Sequence, residues 1–256
     1  MKKAIKLLAL VSAVIMCVTC FAGCNKKDDG EKVYVIATDT MFAPFEFTDA
    51  NNQFVGIDVD LLAAIAEDQG FKYELRSLGF NAAVTALETS QADGVIAGMS
   101  ITDERKEKYT FSNPYYDSGV VMGVAADNND IKSYADLKGK TVAVKAGTEG
   151  KTFAESIKDQ YGFNIDVFDN SGTMYQAVTS GTAVACFEDY PVMGYGISQN
   201  NGLKMVTAME KGSSYGFAVL KGSDNEVLVE KFNAGLEKLK ENGKYQEILS
   251  KYISEK

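Results

Sequence analysis

The chain has 256 residues, 46% of them hydrophobic and 24% charged, which is a globular composition long enough for one large domain or two ordinary ones. It contains no histidine, which excludes a Ser–His–Asp triad, a Cys–His pair and a His-ligated zinc or iron site within the chain. The formal net charge of −9 argues against a nucleic-acid partner, because sequence-independent binding of nucleic acid needs a basic surface. We expect neither a metal nor a cofactor.

The N-terminus has the charge order of a signal peptide. Three lysines precede an apolar run over residues 7–18, which is too short to span a bilayer as a helix of roughly 20 residues. Small residues then stand directly before Cys24, a pattern typical of a bacterial lipoprotein processing site. We predict a signal peptide over residues 1–23, lipidation (palmitate) of Cys24, a charged tether over residues 24–32 and an extracytoplasmic, membrane-anchored location. The alternative is ordinary cleavage near Ala22.

Without the signal peptide and with Cys24 lipidated, Cys186 is the one remaining thiol. It lies within the apolar run 183–187, which reads as a strand. We therefore expect a core residue rather than a nucleophile.

From Val33 onward, short apolar strands alternate with helical segments in two successive blocks. The first block predicts strand 33–38, a helix ending near Gly70, strand 73–78, helix 82–89 and strand 94–98. The second predicts strand 141–145, helix 149–159, strand 165–168, helix 174–179 and strand 183–187. Two βαβαβ blocks indicate an α/β protein of two lobes, each with a largely parallel sheet.

Two further apolar segments, 120–125 and 214–220, read as strands and are followed by C-terminal amphipathic helices. If those helices return to the first lobe, the chain crosses between the lobes twice and leaves a cleft. The predicted division is lobe 1 over 33–115 and 218–256, hinge strands over 116–119 and 213–217, and lobe 2 over 120–212. Ligands of open α/β sheets bind at the carboxyl ends of the strands, so both lobes would present such ends to the cleft.

Arg105 is the first candidate binding residue. Thr102 has the position of an N-cap, which places Arg105 in the first turn of a short helix, where the helix dipole disfavours a cation. A guanidinium is suited to bidentate capture of a carboxylate. From spacing alone, a surface arginine in the charged run 103–108 remains the alternative.

Three other segments lie at predicted strand ends or loops. The turn 145–150, with Thr148 as a possible N-cap, could direct backbone N–H groups at an anion or only cap a helix. Asp189 could receive an ammonium group or cap the next helix. The apolar loop around Phe42 could form an aromatic wall for a ligand or a lid over the core.

The chain resembles the bacterial extracellular solute-binding proteins, family 3, and among them the glutamine-binding members. The resemblance runs from about Lys32 to the C-terminus. The matching segments are 37–47 (ATDTMFAPFEF), 56–61 (GIDVDL), 97–105 (AGMSITDER), 111–116 (FSNPYY), 142–148 (VAVKAGT) and 239–245 (LKENGKY). It implies a two-lobed periplasmic-binding-protein type II fold, no enzymatic activity, and a monomeric receptor that delivers a free polar amino acid to an ABC importer permease.

Carried over by position, the resemblance assigns the α-carboxylate of the ligand to Arg105, helped by the Ser100 hydroxyl and the backbone N–H groups of Thr148 and Glu149. It assigns the α-ammonium group to Asp189 and the carbonyl of Gly98.

The resemblance also implies that Phe42 and Phe80 sandwich the side chain of the ligand. Asp39 and Lys145 would address a side-chain amide, one accepting and one donating, which fits glutamine.

Glu188 departs from the family pattern, because the glutamine-binding members have a histidine near the ligand there. Asp39 and Glu188 together could accept a cationic side chain, so arginine and lysine stay open as ligands. Some relatives of the fold are cyclohexadienyl dehydratases, and in that second alternative Glu188 would be the acid.

Overall fold

The computed structural model describes residues 32–253, and the described residues from Val33 onward belong to one compact unit. The predicted signal peptide, Cys24, the tether up to residue 31 and the last three residues of the chain lie outside the described residues. Within the described part of the chain, none of the helices is both long and apolar enough to cross a membrane.

The first lobe is built from the N-terminal third of the unit and the C-terminal helices. Its elements are β1 (Val33–Thr38), β2 (Phe47–Thr48), β3 (Phe54–Val55), α1 (Ile57–Gln69), β4 (Lys72–Ser77), α2 (Phe80–Glu88), β5 (Gly94–Val95), α3 (Asp103–Lys108) and β6 (Tyr109–Phe111).

The second lobe follows as β7 (Tyr116–Ala125), a 3₁₀ turn (Tyr134–Leu137), β8 (Thr141–Lys145), α4 (Glu149–Tyr161), β9 (Asn164–Phe168), α5 (Ser171–Thr179), β10 (Ala185–Asp189), α6 (Tyr190–Ser198), β11 (Leu203–Met205) and β12 (Glu210–Tyr215). The chain then returns to the first lobe as β13 (Ala218–Leu220), α7 (Glu226–Glu241) and α8 (Lys244–Tyr252).

The first sheet has the order β4-β1-β5-β13-β6. Strand β1 runs parallel to β4 and to β5, whereas β13 is antiparallel to both of its neighbours. Helix α1 covers this sheet because Ile57, Leu61 and Ile65 recur on one face and are fully buried. The helix ends at Gly70, which adopts the left-handed conformation favoured by glycine and whose N–H donates to the carbonyl of Ala66.

The second sheet has the order β11-β7-β10-β8-β9, with β12 pairing on β7. Strands β8, β9 and β10 are parallel, while β7 is antiparallel to β10, β11 and β12. Both sheets are therefore mixed but largely parallel, as predicted, because one strand in each, β13 in the first and β7 in the second, runs against the others. The parallel strands come from the two predicted βαβαβ blocks, and strands such as β7 and β13, which follow the crossings between lobes, join them antiparallel.

The two segments that connect the lobes pair with each other. Ser118 lies opposite Ser213, and Tyr116 lies opposite Tyr215, in the antiparallel ladder of β7 and β12. These positions fall within the predicted hinge segments. The single strand predicted over residues 214–220 is wrong, because the chain leaves the second sheet at the end of β12 and enters the first sheet at β13.

Candidate ligand-binding site

Asp39 and Lys145 occupy equivalent places in the two lobes. Asp39 follows β1, whose neighbours β4 and β5 lie on opposite sides, and Lys145 ends β8, which lies between β9 and β10. These are the topological switch points, where successive crossovers leave in opposite directions and open a crevice. The Lys145 ammonium group donates to Asp39 Oδ2 across the cleft, and both side chains are at most 1% exposed.

Aromatic rings border both cations of the site. Lys145 Nζ lies 4.5 Å from the ring centroid of Phe42, and the guanidinium carbon of Arg105 lies 5.5 Å from that of Phe80. Each ring thus offers its negative face to a cation while its carbon surface remains available to an apolar group. Phe42 and Phe80 are 4% and 5% exposed.

Arg105 joins the lobes through backbone carbonyls. As predicted, Thr102 caps helix α3, its hydroxyl accepting from the Arg105 N–H at 3.2 Å. Arg105 Nη1 donates to the Ser100 carbonyl at 2.8 Å in the first lobe, and Nη2 donates to the Gly147 carbonyl at 3.0 Å in the second. Burial lowers the pKa of the guanidinium, and the negative charges of Glu149 and Asp189 oppose that shift.

The N-terminus of α4 faces the same place. Thr148 caps this helix, its hydroxyl accepting from Lys151 N–H at 3.4 Å. The first N–H groups of a helix have no partner within the helix, and the dipole there favours an anion. The Glu149 carboxylate lies 3.7 Å from Arg105 Nη2.

Asp189 ends β10 and is 5% exposed. The prediction left open a helix-capping role, but its side chain makes no capping bond to α6. Instead, Asp189 Oδ2 accepts a hydrogen bond from the Tyr215 hydroxyl at 2.6 Å. Burial, and next the negative charge of Glu188, raise the pKa of Asp189 to about 7, which the Tyr215 hydrogen bond and Arg105 partly offset.

The Glu188 carboxylate makes its hydrogen bonds within the second lobe. Its Oε2 accepts from the Ser171 hydroxyl at 2.7 Å and the Tyr175 hydroxyl at 3.0 Å, and its Oε1 accepts from the Asp189 N–H at 3.0 Å. Successive side chains of a strand point to opposite faces, so Asp189 and Glu188 cannot both face the cleft. The structure therefore places Glu188 inside the second lobe, where it acts on Asp189 by its charge.

The predicted residues, with the exceptions of Asp39 and Glu188, line one cavity between the lobes. Its walls are Phe42, Phe80, Ala97, Gly98, Ser100, Arg105, Lys145, Thr148, Glu149 and Asp189. Asp39 is absent from the wall because the Lys145 ammonium group covers its carboxylate. Among residues 32–253 no group of acidic or cysteine side chains is arranged to hold a metal ion, and Cys186 is a buried core thiol, as predicted.

Tyr215 is a functional residue that the sequence reasoning missed. Its hydroxyl donates to Asp189 and accepts from the Ser118 hydroxyl at 3.1 Å, so it ties the crossover strands to the carboxylate of the site. It is fully buried, with Phe45 at a ring-centroid distance of 4.9 Å. The available signal was an aromatic residue inside a predicted hinge strand, between Ser214 and Gly216.

At Gly98 the backbone passes close to the ring of Phe42. The φ of Gly98 is +53°, and a Cβ there would lie 2.4 Å from the ring of Phe42. Both features require glycine.

We expect the substitution Gly98→Ala to lower the free energy of unfolding by about 2–4 kcal/mol, since it combines the strain of a positive φ with overpacking. Gly139→Ala is the matched control, because Gly139 has a φ of +72° and a Cβ added there would meet nothing within 4 Å. Urea denaturation should show a smaller loss for the control, and equal losses would contradict the steric argument.

Comparison with known proteins places the chain in a family. Residues 34–255 match the bacterial extracellular solute-binding proteins, family 3. The arginine-binding extracellular protein ArtP of Bacillus subtilis (strain 168) is 30% identical over 255 residues, which cover 99% of each chain. The chain belongs to the bacterial extracellular solute-binding proteins, family 3.

Solved structures agree in fold. An ancestral arginine-binding protein is 38% identical, with TM-scores of 0.79 bound to glutamine and 0.81 bound to arginine, over 87% of this chain and 98% of that one. Substrate-binding domain 2 of GlnP from Lactococcus lactis, in an open conformation, is 42% identical over 89% of this chain and 97% of that one, with a TM-score of 0.60. The predicted two-lobed type II fold is thereby confirmed.

The protein is a solute-binding protein rather than an enzyme of the dehydratase type. The acid that the enzymatic alternative required, Glu188, has both carboxylate oxygens engaged by neighbours in the second lobe.

Proposed function

We propose that this protein captures a free polar L-amino acid between its two lobes and delivers it to an ABC importer. The observation that carries the proposal is that a guanidinium, Arg105, and a carboxylate, Asp189, line the same cavity between the lobes. An α-amino acid presents one carboxylate and one ammonium group a few bonds apart, which is the complementary pair of charges. Contacts from both lobes to one ligand would favour the closed arrangement over the open one.

The α-carboxylate fits beside Arg105 and the N-terminus of α4. There a charge-assisted bidentate bond and the backbone N–H groups of Thr148 and Glu149 are available, with the Ser100 hydroxyl close by. The α-ammonium fits against Asp189 and the Gly98 carbonyl. Phe42 and Phe80 then offer carbon surface to the aliphatic part of the ligand.

For the far end of the ligand, the geometry supports a neutral amide, as in glutamine. Lys145 and Asp39 supply one donor and one acceptor, which match the two ends of an amide group. A cationic side chain would lie beside the Lys145 ammonium group in a site shielded from water, where like charges repel strongly.

Arginine is the second candidate, and the names of the relatives favour it. The Bacillus subtilis relative and the ancestral protein are both arginine-binding, although the ancestral protein also has a glutamine-bound structure. An arginine ligand would require Lys145 to move away from Asp39, leaving that carboxylate to the guanidinium of the ligand.

A thermal-shift screen of the twenty L-amino acids tests the proposal, since a ligand that binds only the native state raises the melting temperature. A largest shift with glutamine supports the neutral-amide assignment. A largest shift with arginine or lysine contradicts that assignment and supports the second candidate. No shift with any amino acid overturns the proposed function.

We expect amino-acid affinity to weaken as the pH falls from 8 to 5. Asp189 has a pKa of about 7 and must be ionised to hold an ammonium group. Protein molecules in which Asp189 is protonated therefore do not bind the amino acid. Below that pKa the Kd should rise by about tenfold per pH unit. Calorimetric titrations over this range would measure the change, and a flat profile would contradict the role given to Asp189.

The variant Glu188→Gln is the control for this pH dependence. It removes the negative charge that helps to raise the pKa of Asp189, while Ser171 and Tyr175 can accept hydrogen bonds from the new amide. The midpoint of the affinity profile should move to lower pH.

We further propose that Cys24 carries the lipid that holds the protein at the extracytoplasmic face of the membrane. The signal-like N-terminus and the charged residues after Cys24 support this. Cys24→Ala should move the protein from the membrane fraction to the soluble fraction and abolish incorporation of a palmitate analogue. Retention of both membrane association and label would overturn the assignment.

A further inference from the structure

Two acidic side chains lie buried behind the cavity without a basic partner of their own. Glu46, in the loop between β1 and β2, and Asp58, in the first turn of α1, are both fully buried. Among the described residues, no donor group reaches either carboxylate oxygen of Glu46 or the Oδ1 atom of Asp58. Buried polar atoms of this kind normally have hydrogen-bond partners, so their arrangement needs an explanation.

The second oxygen of Asp58 is directly linked to the binding site. Asp58 Oδ2 accepts from the Gly98 N–H at 2.8 Å and from the Tyr115 hydroxyl at 2.8 Å. Gly98 lines the cavity in its positive-φ conformation, and its carbonyl is assigned to the ammonium group of the ligand. Asp58 therefore fixes the backbone at which the ligand is held.

The two carboxyl groups belong to one buried cluster, since the Asp58 N–H donates to the carbonyl of Phe45, the residue before Glu46, at 2.9 Å. A hydrogen bond between the two groups would need a proton, because two carboxylates have only acceptors. Burial raises the pKa of Glu46 well above its ordinary value of 4.5, and the charge of Asp58 raises it further. The other charges facing Glu46 are Asp39, which also raises its pKa, and Lys145, which lowers it. Burial raises the pKa of Asp58 to about 6, although its hydrogen bonds with the Gly98 N–H and the Tyr115 hydroxyl oppose the shift.

We propose that Glu46 stays protonated and donates a hydrogen bond to the Asp58 carboxylate, so that Glu46 is a positioning residue for the Gly98 segment of the ligand-binding site. The protonated acid supplies the donor that the orphaned Asp58 oxygen lacks. It also avoids a second buried negative charge next to Asp39, whose charge Lys145 already balances. The link to ligand binding rests on the proposed function, but the protonation of Glu46 does not.

Infrared spectroscopy at pH 8 tests the protonation directly. At that pH Asp58 and Asp189, with pKa values of about 6 and about 7, are mainly ionised. We expect a C=O stretch of a protonated carboxylic acid, which shifts when the protein is grown with ¹³C-labelled glutamate and does not shift with ¹³C-labelled aspartate. Absence of a glutamate-dependent band would overturn the proposal, and this measurement requires no variant.

Thermal unfolding of Glu46→Gln gives an independent readout. A proton bound more tightly in the folded state stabilises it fully below pH 4.5, and this stabilisation is lost as the pH rises toward the folded pKa. The free energy of unfolding of the wild type should therefore decrease as the pH rises. Glu46→Gln should show a smaller decrease, because the variant lacks this one titrating proton. Equal pH profiles for the two proteins would overturn the proposal.

The variants Glu46→Gln and Glu46→Leu separate hydrogen bonding from volume. Glutamine can still donate to Asp58, so its Kd for the amino acid should stay within about twofold of wild type, whereas leucine should weaken binding by about tenfold or more. Equal affinities in the two variants would refute the positioning role. If no amino acid binds the wild type, the proposed function fails while the infrared result still decides the protonation.

Discussion

Replacing Arg105 by alanine should nearly abolish amino-acid binding while the protein remains folded. The guanidinium lines the cavity and can bind a carboxylate through two parallel hydrogen bonds, and its contacts with both lobes leave the side chain only 14% exposed. Removing one partner of a desolvated charge pair costs about 3–5 kcal/mol, which is roughly a hundredfold or more in Kd. Calorimetric titration with the preferred amino acid measures the loss.

The chain provides a matched control for this experiment in its only other arginine. Arg76 lies on β4 in an exposed ion pair with Glu74, and such pairs contribute little to stability. Arg76→Ala should leave the Kd unchanged. Arg105→Lys keeps the charge but loses the planar fork, so its affinity should lie between those of wild type and Arg105→Ala. Near wild-type binding by Arg105→Ala, with a normal melting curve, would contradict the assignment of the α-carboxylate.

Replacing Lys145 by methionine should change which amino acid binds. The substitution removes the donor for a side-chain amide and leaves the fully buried Asp39 carboxylate without its cation when the lobes meet. We expect the affinity for L-glutamine to fall by roughly a hundredfold or more, because breaking a buried ion pair costs about 3–5 kcal/mol. A cationic ligand can replace the lost charge, so preference should shift toward L-arginine.

Lys151→Met is the control for this change of specificity, since Lys151 forms a partly exposed pair with Glu155 on helix α4. A cycle of Asp39→Asn, Lys145→Met and the double variant isolates the coupling between the two charges. Unchanged selectivity between glutamine and arginine in Lys145→Met would contradict the role given to this ion pair.

The order of most helices and strands could be predicted because it follows from local patterns. Helix α1 has a clear apolar face and a glycine at its end, and strand β8 matches its predicted bounds. The strand predicted over 214–220 was wrong because its apolar run gives no sign of where the chain leaves one sheet for the other. Short elements such as β6 and β11 carry too few residues for a periodic pattern.

The candidate binding residues could be named only with the help of the family resemblance. Spacing alone did not distinguish Arg105 from a surface arginine, and the decisive fact is its contact with carbonyls of both lobes. The partners of Glu188 could not be predicted, because the side a residue faces at the end of a strand depends on local register. The network of Glu46, Asp58 and Tyr115 could not be foreseen, since it joins residues distant in sequence through burial.

The amino acid itself was also underdetermined by sequence. The resemblance implied glutamine, whereas the relatives include arginine-binding proteins at 30% and 38% identity. Both ligands share the same α-carboxylate and α-ammonium contacts, so the difference depends on the few atoms around Lys145 and Asp39.

Recognition of the free α-amino and α-carboxyl groups is the claim on which the account depends. Calorimetric titration should first identify which of L-glutamine and L-arginine binds more tightly. It should then compare that amino acid with its N-acetyl derivative, which lacks the ammonium group, and with its carboxamide, which lacks the carboxylate. The account predicts one-to-one binding of the free amino acid and a loss of roughly a hundredfold or more for each derivative, because Asp189 or Arg105 is left unpaired. Equal affinities for the free amino acid and both derivatives would contradict it.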